Sequence, residues 1–308
     1  MGLMRGILLW ASQSQRLRET LPRYRFMRNA VKRFMPGDEA QDALNAAEDL
    51  RRKGFSTVFT FLGENVLTAA EAEKVAKHYC DLLDQTQSRR LDCHISVKLT
   101  QLGHDLTPST SDENLKVIAD HAKKLGHFVW IDMEGSAYTE STIQLFERIR
   151  PGHSNVGLCL QAYLYRTEAD IRRLAPLRPA IRLVKGAYAE PSTLAFPKKR
   201  DVDNNYLKCA ALLLDGSKRD GIWTVFGTHD KQILLRIQTE AKRAGISNNS
   251  FEFHLLYGIK PEEQTRLLRD GNQVRVLVSY GTYWFPWYMR RLAERPANVL
   301  FVLRNLFG

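Results

Sequence analysis

Two adjacent arginines near the end of the chain, Arg290 and Arg291, are the first candidates for chemistry. They lie in the segment YMRRLAERPAN, residues 288–298, which has the character of a helix. Neighbouring residues on a helix point about 100° apart, so the two guanidinium groups cannot stack on one face, but they can converge on a small anion. A planar guanidinium suits a carboxylate, so the pair predicts a carboxylate site, with a solvated basic surface as the alternative.

Further polar side chains alternate with apolar ones in short β-rich runs. In ISVKLT, for example, Ser96 and Lys98 share one face, while Ile95 and Val97 share the other. The same alternation places a mixed set of side chains on the inward faces of the runs: Lys98, Trp130, Asp132, Glu134, Cys159, Gln161, Tyr163, Arg182, Val184, Glu252, His254, Arg275, Leu277 and Ser279. So many different polar groups at neighbouring strand ends predict a ligand-binding cavity rather than a single buried ion pair.

The runs that carry these residues recur eight times, starting near positions 56, 92, 128, 156, 181, 223, 251 and 273, with helical stretches between them. Regular strand–helix alternation requires a parallel sheet, and eight units in 308 residues predict an α/β fold with a closed (βα)8 barrel of the TIM type. Residues 1–50 are expected to form an N-terminal helical extension, and residues 51–308 the barrel domain.

The first 36 residues, called the arm below, are strongly basic. They hold eight lysines and arginines against Glu19 alone, and leucines and aromatic residues lie between the cations. This pattern predicts an amphipathic arm that docks on an anionic membrane surface. Nucleic acid is the disfavoured alternative, because no recognition module accompanies the arm, and Pro22 and Pro36 interrupt the resemblance to an organelle transit peptide. No apolar run is long enough to span a membrane, so we expect a soluble protein.

Other classes of site lack their usual sequence signs. The four cysteines have no C-x-x-C spacing, which predicts core thiols in a reducing compartment. The sequence contains no H-x-H or HExxH spacing that would indicate a metal site. It also contains no glycine-rich nucleotide motif that would indicate a Rossmann unit or a P-loop. Lysines at strand ends, Lys98 and Lys185, leave a Schiff-base aldolase open as an alternative enzyme.

Several motifs, in order along the chain, resemble those of the monofunctional bacterial proline dehydrogenases: SVKLTQLG, IDMEGS, LQAYLYRTEADI, RLVKGAY, THD, FEFHLLYG and YGTYWFPWYMRRLAERPAN. The resemblance runs from about residue 40 to the C-terminus. It implies a distorted barrel, noncovalently bound FAD, and oxidation of L-proline to Δ1-pyrroline-5-carboxylate by hydride transfer to flavin N5, as the first step of proline catabolism. The basic arm in turn predicts a membrane quinone as electron acceptor and a cytoplasmic location, with peripheral docking on the inner face of the membrane.

The resemblance assigns roles to individual residues. Arg290 and Arg291 would grip the substrate carboxylate, Lys98 would help to bind the substrate, and Asp132 and Arg182 would be catalytic, with Arg182 near flavin N5. Cofactor contacts carry over to Met133, Gln161, Arg182, Lys185, Gly186, Ala187, Thr228 and His229. Glu64 would act as a gate that pairs with the first of the two arginines, although an exposed loop carboxylate explains it nearly as well.

Three residues depart from the family pattern. Leu277 and Trp287 each take the place of a tyrosine, and His254 stands where a glutamine contacts the flavin. A leucine is smaller than a tyrosine and cannot form a hydrogen bond, so the substrate pocket should be wider. Hydroxyproline or another cyclic amino acid is therefore the alternative substrate.

Overall fold

The computed structural model describes residues 2–63 and 66–294. Eight parallel strands close into a barrel in the order of the chain, from β1 to β8 and back to β1. They are β1 (Ser56–Phe61), β2 (Cys93–Val97), β3 (Phe128–Ile131), β4 (Val156–Gln161), β5 (Ala180–Val184), β6 (Trp223–Gly227), β7 (Phe251–Leu256) and β8 (Gln273–Tyr280). The predicted (βα)8 barrel is confirmed.

Four helices precede the barrel and eight alternate with or follow its strands in the described ranges. The first four are α1 (Gly2–Gln13), α2 (Gln15–Thr20), α3 (Arg25–Val31) and α4 (Ala40–Arg52). The barrel helices are α5 (Ala69–Ser88), α6 (Pro108–Lys124), α7 (Ser136–Ile149), α8 (Thr167–Leu174), α9 (Lys199–Arg219), α10 (Lys231–Arg243), α11 (Pro261–Arg269) and α12 (Trp284–Glu294). None of the helices in these ranges is both long and apolar enough to cross a membrane.

Strand alternation separates an outer core from the barrel interior. Ile95 and Val97 point outward and are fully buried against the helices, whereas Val58 and Trp130 fill the interior. Because successive side chains of a strand point to opposite faces, the polar residues between the outward apolar ones must enter the barrel. Helix α4 packs in the outer core through Leu44 and other side chains. The division of the chain at residue 50 stays a prediction.

The barrel floor, formed by His94, Trp130, Trp223, Glu252 and Arg275, closes the interior below the polar cavity. Arg275 Nε donates to Glu252 at 2.9 Å, and Trp130 Nε1 donates to His94 Nδ1 at 3.1 Å. Both His94 and Glu252 are therefore already engaged in a network of protein hydrogen bonds, as buried polar groups must be. The positive charge of Arg275 also opposes binding of a cation here.

Helix α12 belongs to a second apolar cluster, separate from the outer core, which we call the arm–α12 cluster. Its buried members are Leu8, Ala11, Met27, Val31, Phe34, Met35, Leu62, Trp284, Phe285, Trp287, Tyr288, Met289, Leu292 and Ala293. Much of the arm's apolar face, expected to meet a membrane, thus packs inside the molecule. Ile7, Trp10 and Tyr24 remain at least half exposed.

Candidate active site

A cavity of about 510 Å³ opens where the strands end, above the barrel floor. The predicted site residues that line it are Lys98, Asp132, Met133, Gln161, Arg182, Lys185, Gly186, Ala187, Thr228, His229, His254, Leu277, Trp287, Arg290 and Arg291. Glu64 lies outside the described residues, so its gating role stays a prediction. The carboxyl-terminal strand ends of a (βα)8 barrel are the usual place for an active site.

Arg182, on β5, is the most firmly held cation in the cavity. It is 2% exposed, its Nη2 donates to Ser96 Oγ at 2.8 Å and to the Asp132 carboxylate, and its guanidinium carbon lies 5.1 Å from the centre of the Trp130 ring. The salt bridge and the stacking fix the plane of the group, because a guanidinium is rigid and planar. Its Nη1 is buried and has no hydrogen-bond partner among residues 2–63 and 66–294.

Lys98 follows β2, is 7% exposed and faces the same cavity. Asp132, which follows the neighbouring strand β3, forms its salt bridge with Arg182 and not with Lys98. The structure gives Lys98 neither a hydrogen bond nor an ion pair with any described residue. A lysine that is largely buried and has no side-chain partner among the described residues is a strong candidate to bind an anionic ligand in the cavity.

Two further buried acceptors line the same cavity, and neither has a hydrogen-bond partner among the described residues. Gln161 Nε2 donates to the Met133 carbonyl at 3.2 Å, which leaves its Oε1 buried without a partner. His254 Nε2 lies 3.1 Å from a carboxylate oxygen of Glu252, and its Nδ1 is likewise unpaired. Burial, followed by the charges of Arg182 and Arg275, lowers the pKa of His254 well below its usual value. The neutral ring therefore donates from Nε2 and offers Nδ1 as an acceptor.

These unpaired atoms fit the flavin that the motifs imply. The polar edge of an oxidised isoalloxazine ring offers one N–H donor and several nitrogen and oxygen acceptors. Gln161 Oε1 and His254 Nδ1 can accept, and Arg182 Nη1 can donate. Since buried polar atoms are almost always satisfied, this set predicts a ligand with donors and acceptors along one edge. The residues present fit FAD.

The loop after β5 has a backbone that only glycine allows. Gly186 has φ +108°, and a Cβ there would lie 2.3 Å from the Tyr163 ring. Lys185, which lines the cavity, forms salt bridges at its edge: its Nζ lies 2.5 Å from Asp203 Oδ1 on α9 and 3.0 Å from Asp230 Oδ2, immediately before α10. Glycine is required because both the positive φ and the close approach exclude a side chain.

Thr228 and His229, which follow β6, stabilise the local backbone. Thr228 Oγ1 accepts from the Asp230 amide at 3.2 Å, and His229 Nε2 accepts from the Leu256 amide at 2.9 Å. The His229 imidazole thus ties the loop after β6 to the end of β7. Both residues also reach the cavity, so they can shape the cofactor site while they hold its loops.

Arg290 and Arg291, which we call the clamp, enter the cavity from α12. Arg290 is 8% exposed, and its guanidinium carbon lies 5.2 Å from the centre of the Tyr188 ring. Tyr188, the last residue of the motif RLVKGAY, also lines the cavity, and it lies beyond the end of β5, where strand alternation gave no signal for it. Stacking on an aromatic ring limits the positions of a guanidinium, so Tyr188 helps to aim the clamp.

Five residues expected on the inward faces lie outside the cavity lining: Trp130, Glu134, Glu252, Arg275 and Ser279. Glu134 comes after β3 has ended at Ile131, and its carboxylate accepts from the Thr100 amide at 3.1 Å and from the Thr100 hydroxyl at 2.6 Å. Glu134 lies three residues beyond the end of β3, where the backbone no longer follows strand alternation, and this explains the difference. Glu252 points inward as expected, but it lies in the barrel floor with Arg275.

Comparisons with known proteins point to one family. The family model described as proline dehydrogenase matches residues 43–304. Proline dehydrogenase 1 of Bacillus subtilis subsp. natto is 36% identical over 304 residues, which is 99% of each chain. Proline dehydrogenase of Deinococcus radiodurans is 34% identical over 285 residues, which is 91% of each chain.

A solved structure supports the fold separately. Proline utilization A from Bdellovibrio bacteriovorus superposes with a TM-score of 0.80 at 21% sequence identity, covering 94% of this chain and 38% of that one. The resemblance drawn from the motifs is confirmed by the sequence matches, which cover nearly the whole chain. The chain is a member of the proline dehydrogenase family.

Proposed function

We propose that the protein oxidises L-proline to Δ1-pyrroline-5-carboxylate with noncovalently bound FAD, the first step of proline catabolism. The observation that carries this proposal is the composition of the cavity. Cations that suit a carboxylate lie in the same space as the unpaired atoms Gln161 Oε1, Arg182 Nη1 and His254 Nδ1, which suit a flavin edge. Membership of the proline dehydrogenase family supports the same chemistry.

The clamp and Lys98 would bind the substrate carboxylate. A guanidinium can bind a planar carboxylate through two parallel hydrogen bonds, and the Lys98 ammonium adds a point charge. Together they would orient the ring so that one carbon, next to the amine, faces the cofactor. When bound, FAD supplies the electron acceptor for oxidation of that C–N bond.

Arg182 and Asp132 would act on the reacting centre. The guanidinium is already oriented by Asp132, Ser96 and Trp130, so it can stabilise developing negative charge without reorganising. The amine must lose a proton before its nitrogen can form a double bond to carbon. The Asp132 side chain, 22% exposed, faces the cavity where it can influence that proton.

The cofactor is tested by colour. The purified protein should be yellow, and acid precipitation should release all of the colour into the supernatant because the flavin is not covalently attached. Flavin that stays in the pellet would contradict noncovalent binding. A colourless protein after refolding with FAD, trapped by borohydride together with substrate, would support the Schiff-base aldolase instead.

The substrate is tested by anaerobic stopped-flow bleaching of the flavin. Proline should bleach it, and trans-4-hydroxyproline, pipecolate and thioproline should be compared in the same experiment. Hydroxyproline or another cyclic amino acid is the second candidate, because Leu277 lines the cavity where a larger, hydroxyl-bearing side chain would narrow it. Faster bleaching by an analogue at equal concentration would favour that candidate.

We further propose that electrons pass to a membrane quinone, with the protein docked at the inner face of the membrane. On α1, Ile7 is 51% and Trp10 is 65% exposed, and the exposed Arg16 and Arg23 follow in the arm. Apolar side chains next to cations suit an anionic bilayer. Full-length protein should float with anionic vesicles at low salt, and Trp10→Ser should float less; equal flotation would refute docking through this surface.

A further inference from the structure

We propose that the arm is a positioning element for substrate binding: it holds α12, and with it the clamp, at the mouth of the cavity. The inference rests on the proposed function, because it gives the arm a role in binding the amino-acid substrate. Phe34, Arg18 and Gly258 are the residues through which we assign this role. Three observations support this role. Residues of the arm pack against residues that line the cavity, and side chains of the arm contact α12 and the residue before it. The backbone of the arm also approaches Gly258 so closely that only glycine fits there.

Where the cavity meets the arm–α12 cluster, single side chains separate the cavity from the arm. Trp287 and Leu62 both line the cavity and both belong to the arm–α12 cluster, where they pack with buried side chains of the arm. Leu8 of α1 and Met27 of α3 are among those side chains. Because close-packed side chains transmit small displacements, movement of the arm must move this wall.

Two further contacts fix α12 along its length. The Arg18 side chain hydrogen-bonds the Tyr283 hydroxyl, and its guanidinium carbon lies 5.1 Å from the centre of the Tyr283 ring, immediately before α12 begins. One turn into the helix, the Phe34 and Tyr288 rings lie 5.8 Å apart. The arm therefore contacts the entrance of the helix and the turn that precedes the clamp.

The end of the arm is fixed to the barrel at Gly258, in the loop after β7. Gly258 has φ +70°, and a Cβ built there would lie 1.6 Å from the carbonyl oxygen of Arg33. That distance is far inside van der Waals contact with backbone, which cannot move aside as a side-chain tip can. A glycine at 258 is thus a requirement of the seated arm.

The connectivity of α12 explains why such support matters. Only residues 281–283 separate β8 from the start of α12, so the barrel holds the helix covalently at one end. The side of α12 that faces the arm is apolar and would be open to water without it. The clamp lies in the last turns of this helix, where a small rotation produces the largest displacement. Loss of arm contacts should therefore weaken binding of the substrate more than it slows the chemical step.

The decisive experiment compares glycine substitutions with matched backbone strain, each in the full chain loaded with FAD. Gly258→Ala should unseat the arm, whereas Gly245→Ala has nearly the same φ, +67°, and its Cβ would meet nothing within 4 Å. We expect Gly258→Ala to raise the dissociation constant for proline about tenfold or more, while flavin bleaching at saturating proline slows less than about threefold. Gly245→Ala should leave both unchanged.

Three further variants cover the case in which Gly258→Ala does not fold. Phe34→Ala should raise the proline dissociation constant, Phe34→Leu should recover much of the loss, and Trp10→Ala, on the exposed side of the arm, should have no effect. Hydrogen exchange of residues 284–294 should accelerate in Gly258→Ala and Phe34→Ala alone.

These readouts separate the two proposals. The positioning role is overturned if hydrogen exchange in α12 is unchanged in Gly258→Ala and Phe34→Ala. It is also overturned if exchange is faster but binding of 2-tetrahydrofuroate, which has the carboxylate but no amine, is unchanged. An equal effect of both glycine variants overturns it too, because strain alone would then suffice. If proline fails to bleach the wild type, the proposed function fails, while hydrogen exchange still decides whether the arm holds α12.

Discussion

Lys98→Met should make the protein more stable and worse at binding its substrate. The Lys98 ammonium faces the cavity without a hydrogen-bond or ion-pair partner among the described residues, and the whole residue is only 7% exposed. Burying an unpaired charge costs several kcal/mol, but water in a cavity of about 510 Å³ repays part of it. Methionine has a similar length and no charge, so we expect a gain in the free energy of unfolding of about 1–2 kcal/mol. That corresponds to a rise in Tm of roughly 2–4 °C.

A carboxylate ligand should cancel this advantage. If Lys98 contributes one charge-assisted contact worth about 2 kcal/mol, the variant binds 2-tetrahydrofuroate about thirtyfold more weakly. At a ligand concentration of about 100 times its dissociation constant, the wild type gains about 2.7 kcal/mol, whereas the variant gains less than about 1 kcal/mol. The difference in stability should therefore close when the ligand is added.

Thermal unfolding followed by circular dichroism, with and without ligand and with FAD saturating, measures both effects. Lys116→Met, on the exposed surface of α6, is the control for a change of charge, and it should alter neither quantity. A lower Tm for Lys98→Met than for the wild type in the absence of ligand would refute the reasoning, since Lys98 would then stabilise the folded protein. An equal gain on ligand addition would show that Lys98 does not meet the carboxylate.

Three other expectations follow from the same geometry. Arg291→Met removes half of the clamp, so the Michaelis constant for proline should rise about thirtyfold or more while FAD stays bound; unchanged affinity would return the pair to a solvated surface. Leu277→Tyr should narrow the cavity and shift the ratio of bleaching rates towards proline over larger rings; an unchanged ratio would mean that residue 277 does not face the substrate. Burial raises the pKa of Asp230, but Lys185 and Lys199 outweigh it and hold the pKa at about 2. A folded pKa below the unfolded value of 3.8 contributes stability above about pH 4 that is lost as the pH falls towards 2, so Asp230→Asn should flatten the acid limb of urea-unfolding curves. An identical acid limb would contradict that assignment.

The barrel and the cavity were predictable because they depend on local periodicity. The alternation in runs such as ISVKLT places Ser96 and Lys98 on the inward face, and it depends only on neighbouring residues. The eight predicted starting positions agree with the first residues of the observed strands to within one residue. The choice of partner for Asp132 was not predictable, because it depends on the reach of a long arginine side chain across the barrel interior. Glu134 shows the other limit: parity still held for Lys98 and Asp132, one residue beyond β2 and β3, but it failed at Glu134, three residues beyond the end of β3.

The arm was the hardest part of the chain to predict for a physical reason. An amphipathic helix shows where its apolar face lies but not what covers it, since a bilayer and a protein surface are both apolar. In α1 the two outcomes are divided between adjacent faces about 100° apart, with Leu8 and Ala11 packed in the arm–α12 cluster and Ile7 and Trp10 exposed. The faces do not compete for the same residues, so vesicle binding and clamp positioning can operate together. Substitution of Trp10 should therefore reduce vesicle flotation without changing proline binding, and substitution of Phe34 should weaken proline binding. If one substitution changed both measurements, the arm would have one function and not two.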